Sequence, residues 1–241
     1  MGTCIYSGTN SKCENCGYHY CMKDIPLFSS LDNGQLKELS LSITTKTFKK
    51  GEIIFDYGEK ASGLYIVCSG KMKVYKNTLE GKEQIMYILS SGDFIGAFNL
   101  LKEDVFEFTA KAIEETAVST LSKTAFNTVI MNNPEITIKV LEKAYERIMK
   151  VESLVERLST KSLDAKVAAL LLNLIPSFGK HTREGIVLEL SINREEMGSY
   201  AGIARETITR KLKLFEEMKI VALRGAKLIV IKNVEALRDY L

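Results

Sequence analysis

The chain has 241 residues, of which 46% are hydrophobic and 26% are charged, and it contains only three prolines. This composition is typical of a folded globular protein and excludes a disordered, collagen-like or linker-rich chain. The length predicts two modest domains. Lys and Arg total 33 against 30 Asp and Glu, which gives a net charge of +3. A balance that mild neither requires nor excludes a nucleic-acid partner.

Nothing in the sequence predicts a membrane segment. The longest apolar stretch, residues 167–175, is interrupted by Asn173, whereas a membrane-spanning helix needs about 20 residues. The N-terminus has no signal-peptide core, and Tyr6 stands where a myristoylation signal has Ser or Thr. We therefore expect a cytoplasmic protein.

Cysteines are concentrated at the start of the chain. Cys4, Cys13, Cys16 and Cys21 fall within the first 21 residues, and Cys68 stands apart. In a reducing cytosol such a group is more typical of a metal site than of a disulfide framework. We interpret residues 1–25 as a cysteine-rich arm.

The next part of the chain has the pattern of a β-domain. After a short helical pattern at residues 31–41, β-rich runs alternate with glycine turns at intervals of roughly ten residues. This spacing predicts a barrel or roll, which we assign to residues 26–133. The β-rich runs are residues 52–55, 64–67, 73–75, 84–88 and 117–121.

Helical periodicity dominates after Pro134. Apolar residues recur at spacings of three and four over residues 134–160, which predicts a helix seam of about 25 residues, or roughly 38 Å. Such a stripe either packs on the protein's own β-domain or pairs with a second copy, and its charged flanks favour the dimer. Glu152 lies on the seam, where a carboxylate weakens the pairing. The predicted dimer-interface residues are Ile138, Leu141, Tyr145, Ile148, Glu152 and Val155.

Residues 161–241 predict a winged helix-turn-helix. The pattern contains a helix that ends before Pro176, a helix that begins with a capping box, a turn glycine, a second helix and two short strands. The first helix covers residues 163–174, the capping box residues 193–196, and the turn glycine is residue 202. The second helix covers residues 205–218, and the two strands cover residues 221–223 and 228–231.

The second helix of this motif carries side chains suited to the DNA major groove. Its apolar residues are expected to be buried, while charged and hydroxyl residues share the opposite face. Arginine can donate two hydrogen bonds to guanine, glutamate can accept one from cytosine, and neighbouring lysines can neutralise phosphates. The alternative is a solvated amphipathic helix with Arg–Glu pairs. The predicted DNA contacts are Arg205, Glu206, Thr209, Arg210, Lys211, Lys213, Arg224 and Lys227.

Three stretches, residues 63–70 (GLYIVCSG), 92–96 (GDFIG) and 205–210 (RETITR), resemble the CRP/FNR family of bacterial transcription regulators. The resemblance covers residues 25–241. It implies an α+β fold with an N-terminal β-roll of the cyclic-nucleotide-binding type, a long dimerisation helix and a C-terminal winged helix-turn-helix. It also implies a homodimer on a palindromic DNA operator, with RNA polymerase as a further partner.

The resemblance extends to the DNA sequence that is read. Family members with the motif Arg-Glu-Thr-x-x-Arg generally read a TGTGA-type half-site, whereas FNR-type members without the first arginine favour TTGAT. In this chain Arg205, Glu206 and Arg210 occupy the reading positions. We therefore expect a GTGA-like palindrome.

One candidate signal is a cyclic nucleotide. Members that bind cAMP have Glu directly after the position of Gly96, and Arg followed by Ser or Thr further along. Here Ala97 replaces the glutamate, and the later stretch reads Glu107-Phe108-Thr109. A phosphate would not sit beside Glu107 without a compensating cation, so we do not expect a cyclic nucleotide to bind.

The other candidate is a metal centre in the arm. FNR proteins hold an oxygen-labile [4Fe–4S] cluster with a similar cysteine arrangement, although their second gap is usually one residue longer. Cys13, Cys16 and Cys21 provide the soft thiolates that such clusters need. The fourth FNR cysteine lies in the strand that matches residues 118–121, where this chain has none. Cys4 is the predicted fourth ligand and Cys68 the alternative, and the signal is oxygen, nitric oxide or redox state.

Two other cofactors and one other functional class are weaker alternatives. A structural zinc could be held by the same three cysteines with Cys4 or His19, and haem could bind in the roll. An enzyme is not expected, because the sequence has only two histidines and no Ser/His/Asp, Walker or dinucleotide-binding motif.

Overall fold

The computed structural model describes residues 25–102, 104–159 and 162–241. The first described element is a short 3-10 helix, Pro26–Phe28. The helices and strands that follow, in chain order, are α1 (Asn33–Ser40), β1 (Ile43–Phe48), β2 (Ile53–Phe55), β3 (Gly63–Ser69), β4 (Lys71–Asn77), β5 (Glu83–Ser90), β6 (Phe94–Ile95), α2 (Ala97–Lys102), β7 (Thr109–Ala112), β8 (Thr116–Ser122), α3 (Lys123–Asn132), α4 (Pro134–Ser159), α5 (Leu163–Phe178), β9 (Gly179–Thr182), β10 (Gly185–Glu189), α6 (Arg194–Ala201), α7 (Arg205–Glu217), β11 (Val221–Arg224), β12 (Leu228–Ile231) and α8 (Val234–Arg238).

The expected fold class is confirmed: a β-roll precedes a long helix and a C-terminal winged helix-turn-helix. Strands of the roll form two four-stranded sheets within the described ranges, in the orders β1-β8-β3-β6 and β2-β7-β4-β5. β8 lies between β1 and β3 and pairs antiparallel with both, so that Leu121 faces Ile43 on one side and Leu64 on the other. Leu64 and Leu121 are fully buried, which places the core of the roll between its sheets.

Three strands of the roll were not predicted. β6 and β7 are only two and four residues long, too short to carry a periodic pattern. β1 has the sequence ITTKTF, and only its two end residues are buried. Its Thr- and Lys-rich centre lacks the apolar alternation of a half-buried strand, and pairing with β8 holds it in the sheet.

The long helix extends over 26 residues and begins with Pro134 as its first residue. Proline is favoured there because its missing N–H would have no partner inside the helix. The observed bounds, Pro134–Ser159, agree with the predicted 134–160.

The C-terminal region differs from its prediction in two places. α5 continues through Pro176 to Phe178 instead of ending at residue 174. Pro176 lies in the last turn, where it removes a single backbone hydrogen bond, and the buried side chains of Leu174 and Phe178 hold that turn in place. Among the described residues, the wing belongs to a four-stranded sheet of order β11-β12-β10-β9. Two strands of this sheet, β9 and β10, were not predicted.

By its internal contacts the chain divides into two compact units. The first contains the described residues up to Lys73 together with those of Leu89–Arg147, and the second contains Val74–Ile88 together with the described residues of Ile148–Leu241. Within the second unit, Ser199 of α6 bonds to β5: its Oγ accepts from the Ile85 N–H at 3.2 Å and donates to the Glu83 carbonyl. No helix among the described residues combines the length and apolar character that crossing a bilayer requires.

The core of the helix-turn-helix provides a stability prediction. Phe215 is fully buried in α7, whereas its neighbour Leu214 is 38% exposed. We expect Phe215→Ala to lower the free energy of unfolding by about 3–5 kcal/mol, because it removes a buried ring and leaves a cavity. Leu214→Ala is the matched control and should cost well under half of that. Urea unfolding followed by circular dichroism measures both, and equal losses would contradict the assignment of the buried face.

Candidate nucleic-acid interface and sensor region

The helix-turn-helix begins with a fully formed capping box. The Asn193 side chain accepts hydrogen bonds from the backbone N–H groups of Glu195 and Glu196, both at 2.9 Å, and the Glu196 carboxylate accepts from the Asn193 N–H at 3.0 Å. α6 ends at Gly202, whose φ of 67° lies in the left-handed region. These two features fix where α6 starts and where the chain turns into α7.

The orientation of α7 is set by its apolar face. Ile208, Leu212 and Phe215 are all fully buried, so the side of the helix opposite them faces solvent. The structure brings four of the predicted DNA contacts to exposed positions in the N-terminal half of the helix, namely Arg205, Glu206, Thr209 and Arg210. Two cationic groups, a carboxylate and a hydroxyl are therefore available together at the protein surface.

Lys211 differs from the other predicted DNA contacts. Its Nζ lies 2.7 Å from Oδ1 and 2.9 Å from Oδ2 of Asp164 in α5, and its side chain is only 18% exposed. The sequence assigned Lys211 to phosphate neutralisation, but the structure directs it to an ion pair that joins α7 to α5. A count of charges along α7 could not distinguish this lysine, because its partner lies 47 residues away.

The remaining predicted basic contacts lie at the surface. Lys213 on α7 and Lys227 at the tip of the wing are exposed. Arg224, also in the wing, is exposed and donates to the carboxylate of Glu184 in the β9–β10 turn. An exposed pair of this kind is weak and leaves the arginine able to exchange partners.

The long helix α4 has two apolar sides with different surroundings. Ile136 and Val140 are 0% and 2% exposed, which shows that they pack within their own chain. The predicted seam remains at the surface instead: Ile138, Leu141, Tyr145, Ile148 and Val155 are each between 56% and 64% exposed, and Glu152 is exposed among them. One face of α4 therefore packs within the chain, while the stripe predicted to pair with a second copy is left exposed on another face.

A carboxylate of the roll holds the side chain of Thr109. Thr109, which ends the stretch that was compared with the phosphate site of cAMP-binding members, is buried and donates its hydroxyl to Oδ1 of the exposed Asp56 at 2.5 Å. The Thr109 hydroxyl and the Tyr57 N–H lower the pKa of Asp56 below its usual value, so the carboxylate is charged at neutral pH. Nearby, Phe55 and Phe106 stack with their ring centroids 3.9 Å apart.

Cys68 is the one cysteine in the part of the chain that the structure describes. It is half-buried, and its Sγ lies 3.0 Å from Ser119 Oγ on the adjacent strand β8. Burial raises the pKa of the Cys68 thiol above its usual value. The other predicted ligands, Cys4, Cys13, Cys16 and Cys21, and also His19, lie outside the described residues. Within the described ranges, His, Cys, Asp and Glu side chains form no group of three that could hold a metal ion.

Comparison with known proteins gives consistent matches for both halves of the chain. Residues 45–133 match the family model of the cyclic nucleotide-binding domain, and residues 165–240 match that of the Crp-like helix-turn-helix domain. The chain is 32% identical over 176 residues to the cAMP-activated global transcriptional regulator CRP of Salmonella typhimurium, which covers 72% of this chain and 82% of the relative.

A second relative and two solved structures extend the match along the chain. The fumarate and nitrate reduction regulatory protein of Vibrio cholerae is 25% identical over 224 residues, 92% of this chain and 88% of its own. FixK2 from Bradyrhizobium japonicum superposes with a TM-score of 0.73 at 24% identity, over 82% of this chain and 96% of its own. A CooA mutant from Carboxydothermus hydrogenoformans also gives 0.73, at 20% identity over 92% and 95%. Both structures share the fold described above.

The difference between Lys211 and Lys213 can be measured. Lys213→Met should lower the slope of log K against log[salt] for DNA binding by about 0.9 per monomer, because one phosphate contact and its released counterion are lost. Lys211→Met should leave that slope unchanged and lower the thermal stability instead, since it breaks the ion pair with Asp164. Fluorescence anisotropy with a DNA duplex from about 50 to 200 mM salt gives the slopes. Equal slopes for the two variants would show that Lys211 also contacts DNA.

Proposed function

The chain belongs to the CRP/FNR family of transcription regulators, and we propose that it acts as a homodimer on a palindromic operator with GTGA-like half-sites. We further propose that a [4Fe–4S] cluster in the N-terminal arm controls this activity. The observation that carries the proposal is the exposed face of α7, where Arg205, Glu206 and Arg210 are held at the surface by the buried apolar face.

Half-site recognition follows from the chemistry of that face. Each arginine can donate two hydrogen bonds to O6 and N7 of a guanine, and Glu206 can accept from a cytosine amine on the opposite strand. Lys213, Lys227 and Arg224 would neutralise phosphates, which positions the domain without reading the sequence. Thr209 donates to the Arg205 carbonyl at 3.1 Å, so its methyl group is free for an apolar contact.

Dimerisation is supported by the exposed stripe on α4. An isolated chain would leave this run of large apolar side chains in water, and a two-fold partner helix would bury them in a coiled-coil seam. Two recognition helices related by that axis would enter major grooves one helical turn apart, about 34 Å, which matches a palindrome. At a promoter, such a dimer would act through RNA polymerase.

The described residues are compatible with the cluster without supplying its main ligands. The arm offers Cys13, Cys16 and Cys21 as thiolate donors, with Cys4 as the proposed fourth. Cys68 is a weaker ligand, because its thiol bonds to Ser119 and burial favours its protonated form. The cluster would supply reactivity towards oxygen, nitric oxide or another oxidant.

The chain's own residues would convert the state of the arm into a change in DNA affinity. Glu152 lies on the exposed seam of α4, where pairing places it beside its own copy in the second chain. Like charges at a seam position weaken a coiled coil, so the pairing free energy is small enough for a modest contribution from the arm to change the fraction of dimer. Zinc in the arm would leave the DNA-binding proposal intact but remove this control.

DNA recognition is tested by Arg205→Ala. We expect affinity for a GTGA palindrome to fall by about 1–3 kcal/mol per half-site and discrimination at the contacted guanine to be lost, because a bidentate contact disappears. Anisotropy measurements with the palindrome and with single-base variants give both quantities. Lys213→Met is the control and should weaken binding to all sequences alike. An unchanged ratio of specific to non-specific affinity in Arg205→Ala would contradict the proposed reading.

The cofactor is tested by purification without oxygen. We expect about four irons and four sulfides per chain and a visible absorption band that is lost in air. Cys4→Ser should lose the iron, whereas Cys68→Ser should retain it, since a serine hydroxyl can keep the contact with Ser119. The opposite pattern would make Cys68 the fourth ligand. One zinc per chain and no colour would exclude the cluster.

A further inference from the structure

A basic stripe on α4 faces the beginning of the roll. Lys139, Lys143 and Arg147 are spaced four residues apart, so they lie above one another along one side of the helix. Both ends of the stripe are next to seam residues in the sequence: Lys139 directly follows Ile138, and Arg147 directly precedes Ile148. Consecutive residues of an α-helix differ by about 100° in direction. The stripe and the proposed dimer seam are therefore adjacent sides of one helix.

The first cation of the stripe contacts the segment that continues the cysteine arm. Lys139 Nζ donates to Ser29 Oγ at 2.6 Å. Ser29 ends the short segment that begins at Ile25, the last residue assigned to the arm, and in which Ile25, Leu27 and Phe28 are buried at 6%, 1% and 0% exposure. The segment around Ser29 is therefore packed on the roll and lies beside α4.

The other two cations hold the turn between β5 and β6, which comprises residues 90–94 and is here named the Gly92 turn. Lys143 Nζ lies 2.8 Å from Asp93 Oδ1, with both side chains about three-quarters buried (22% and 23% exposed). Arg147 donates to the carbonyl of Phe94, and its guanidinium carbon lies 5.9 Å from the Phe94 ring. A largely buried ion pair and a charge-assisted hydrogen bond on successive turns define one rotational position of α4 against the roll.

The Gly92 turn also contacts the beginning of the roll. Gly92 has a φ of +87°, and a Cβ at this position would lie 3.3 Å from Cδ of Pro26. The same turn binds β3, because the Gly92 N–H donates to the Val67 carbonyl at 2.9 Å and Ser91 Oγ to the Cys68 carbonyl at 2.8 Å. The turn is therefore packed between the segment that follows the arm, β3 and α4, around a cleft of about 500 Å³.

We infer that the Gly92 turn and the basic stripe form the mechanical link through which the arm controls dimerisation. A change in the arm displaces Pro26 or Ser29, the Gly92 turn and Lys139 follow, and the stripe changes the rotational position of the adjacent seam. This inference rests on the proposed control by the cysteine arm. It assigns to Asp93, Lys143 and Arg147 a coupling role that is separate from ligand binding and from the seam contacts.

The test uses the full-length protein purified without oxygen, with Asp93→Asn as the variant. The asparagine side chain would lack the charge that pairs with Lys143 but would keep an oxygen for the Ser90 N–H, from which Asp93 Oδ2 accepts at 3.0 Å. The turn therefore keeps its own hydrogen bond. Glu142→Gln is the matched control, because Glu142 is exposed, lines the same cleft and lies on the same helix.

Iron and sulfide are counted first, and sedimentation equilibrium then gives the dimer dissociation constant before and after exposure to air. The ratio of the two constants measures the coupling. We expect Asp93→Asn to bind wild-type amounts of iron and to reduce this ratio by about 3- to 10-fold, the effect of losing one such interaction. Glu142→Gln should keep the wild-type ratio. A wild-type ratio in Asp93→Asn overturns the inference.

A second readout separates failure of the link from failure of the proposed cofactor. If the wild-type protein contains no iron, control by a cluster is wrong, and amide hydrogen exchange then tests the link directly. Loss of the Asp93 charge should speed exchange in the Gly92 turn and also in the N-terminal half of α4. Faster exchange confined to the turn would falsify the link, whatever the arm contains.

Discussion

The structure depends on the requirement that α4 be covered on two sides. Ile136 and Val140 are buried within the chain, whereas the stripe that begins at Ile138 is left in water. The roll contacts only one side of this long helix, so the other apolar side stays exposed in a single chain. The ion pair of Lys143 with Asp93 fixes which side faces inward. The outward side is then determined, and with it the apolar surface that the proposed second chain would cover.

The same logic orients the DNA-binding helix. Burial of Ile208, Leu212 and Phe215 leaves α7 one rotational setting, and in that setting Arg205 and Arg210 are exposed on the opposite side. Lys211 shows the limit of this argument, since it lies at the border between the two faces. At such a border the lysine side chain can face either water or a nearby carboxylate. The Lys211 ammonium group lies 2.7 Å from the Asp164 carboxylate. A charge on α7 is thus available to another molecule only where the fold offers it no internal partner.

The sequence predicted the elements that periodicity marks, and it missed those that pairing or packing imposes. The runs of α4 and α7 and the capping box at Asn193 were found because spacing and local hydrogen bonding determine them. β1 was missed because its exposed Thr and Lys residues resemble a loop. α5 was ended too early because the cost of Pro176 is small in a last turn whose neighbours are buried. The partner of Lys211 was out of reach because local spacing does not encode tertiary contacts. The predicted cysteine ligands of the arm fall outside the described residues, so the metal centre stays a prediction.

A carboxylate beside Thr109 would oppose a phosphate bound there. The Asp56 carboxylate already accepts the hydrogen bond of the Thr109 hydroxyl, and the lowered pKa of this carboxylate keeps it charged. A phosphate brought to within about 4 Å would meet a repulsion of roughly 1 kcal/mol in water and roughly 4 kcal/mol in a less polar surrounding. Phe55 and Phe106 fill the neighbouring space with stacked rings. A signal that acts through the arm would reach the roll beside α4, where Pro26 meets Gly92. For the proposed link a closely packed roll would be an advantage, because a displacement at Pro26 would be passed to Lys143 without being absorbed by a soft interior.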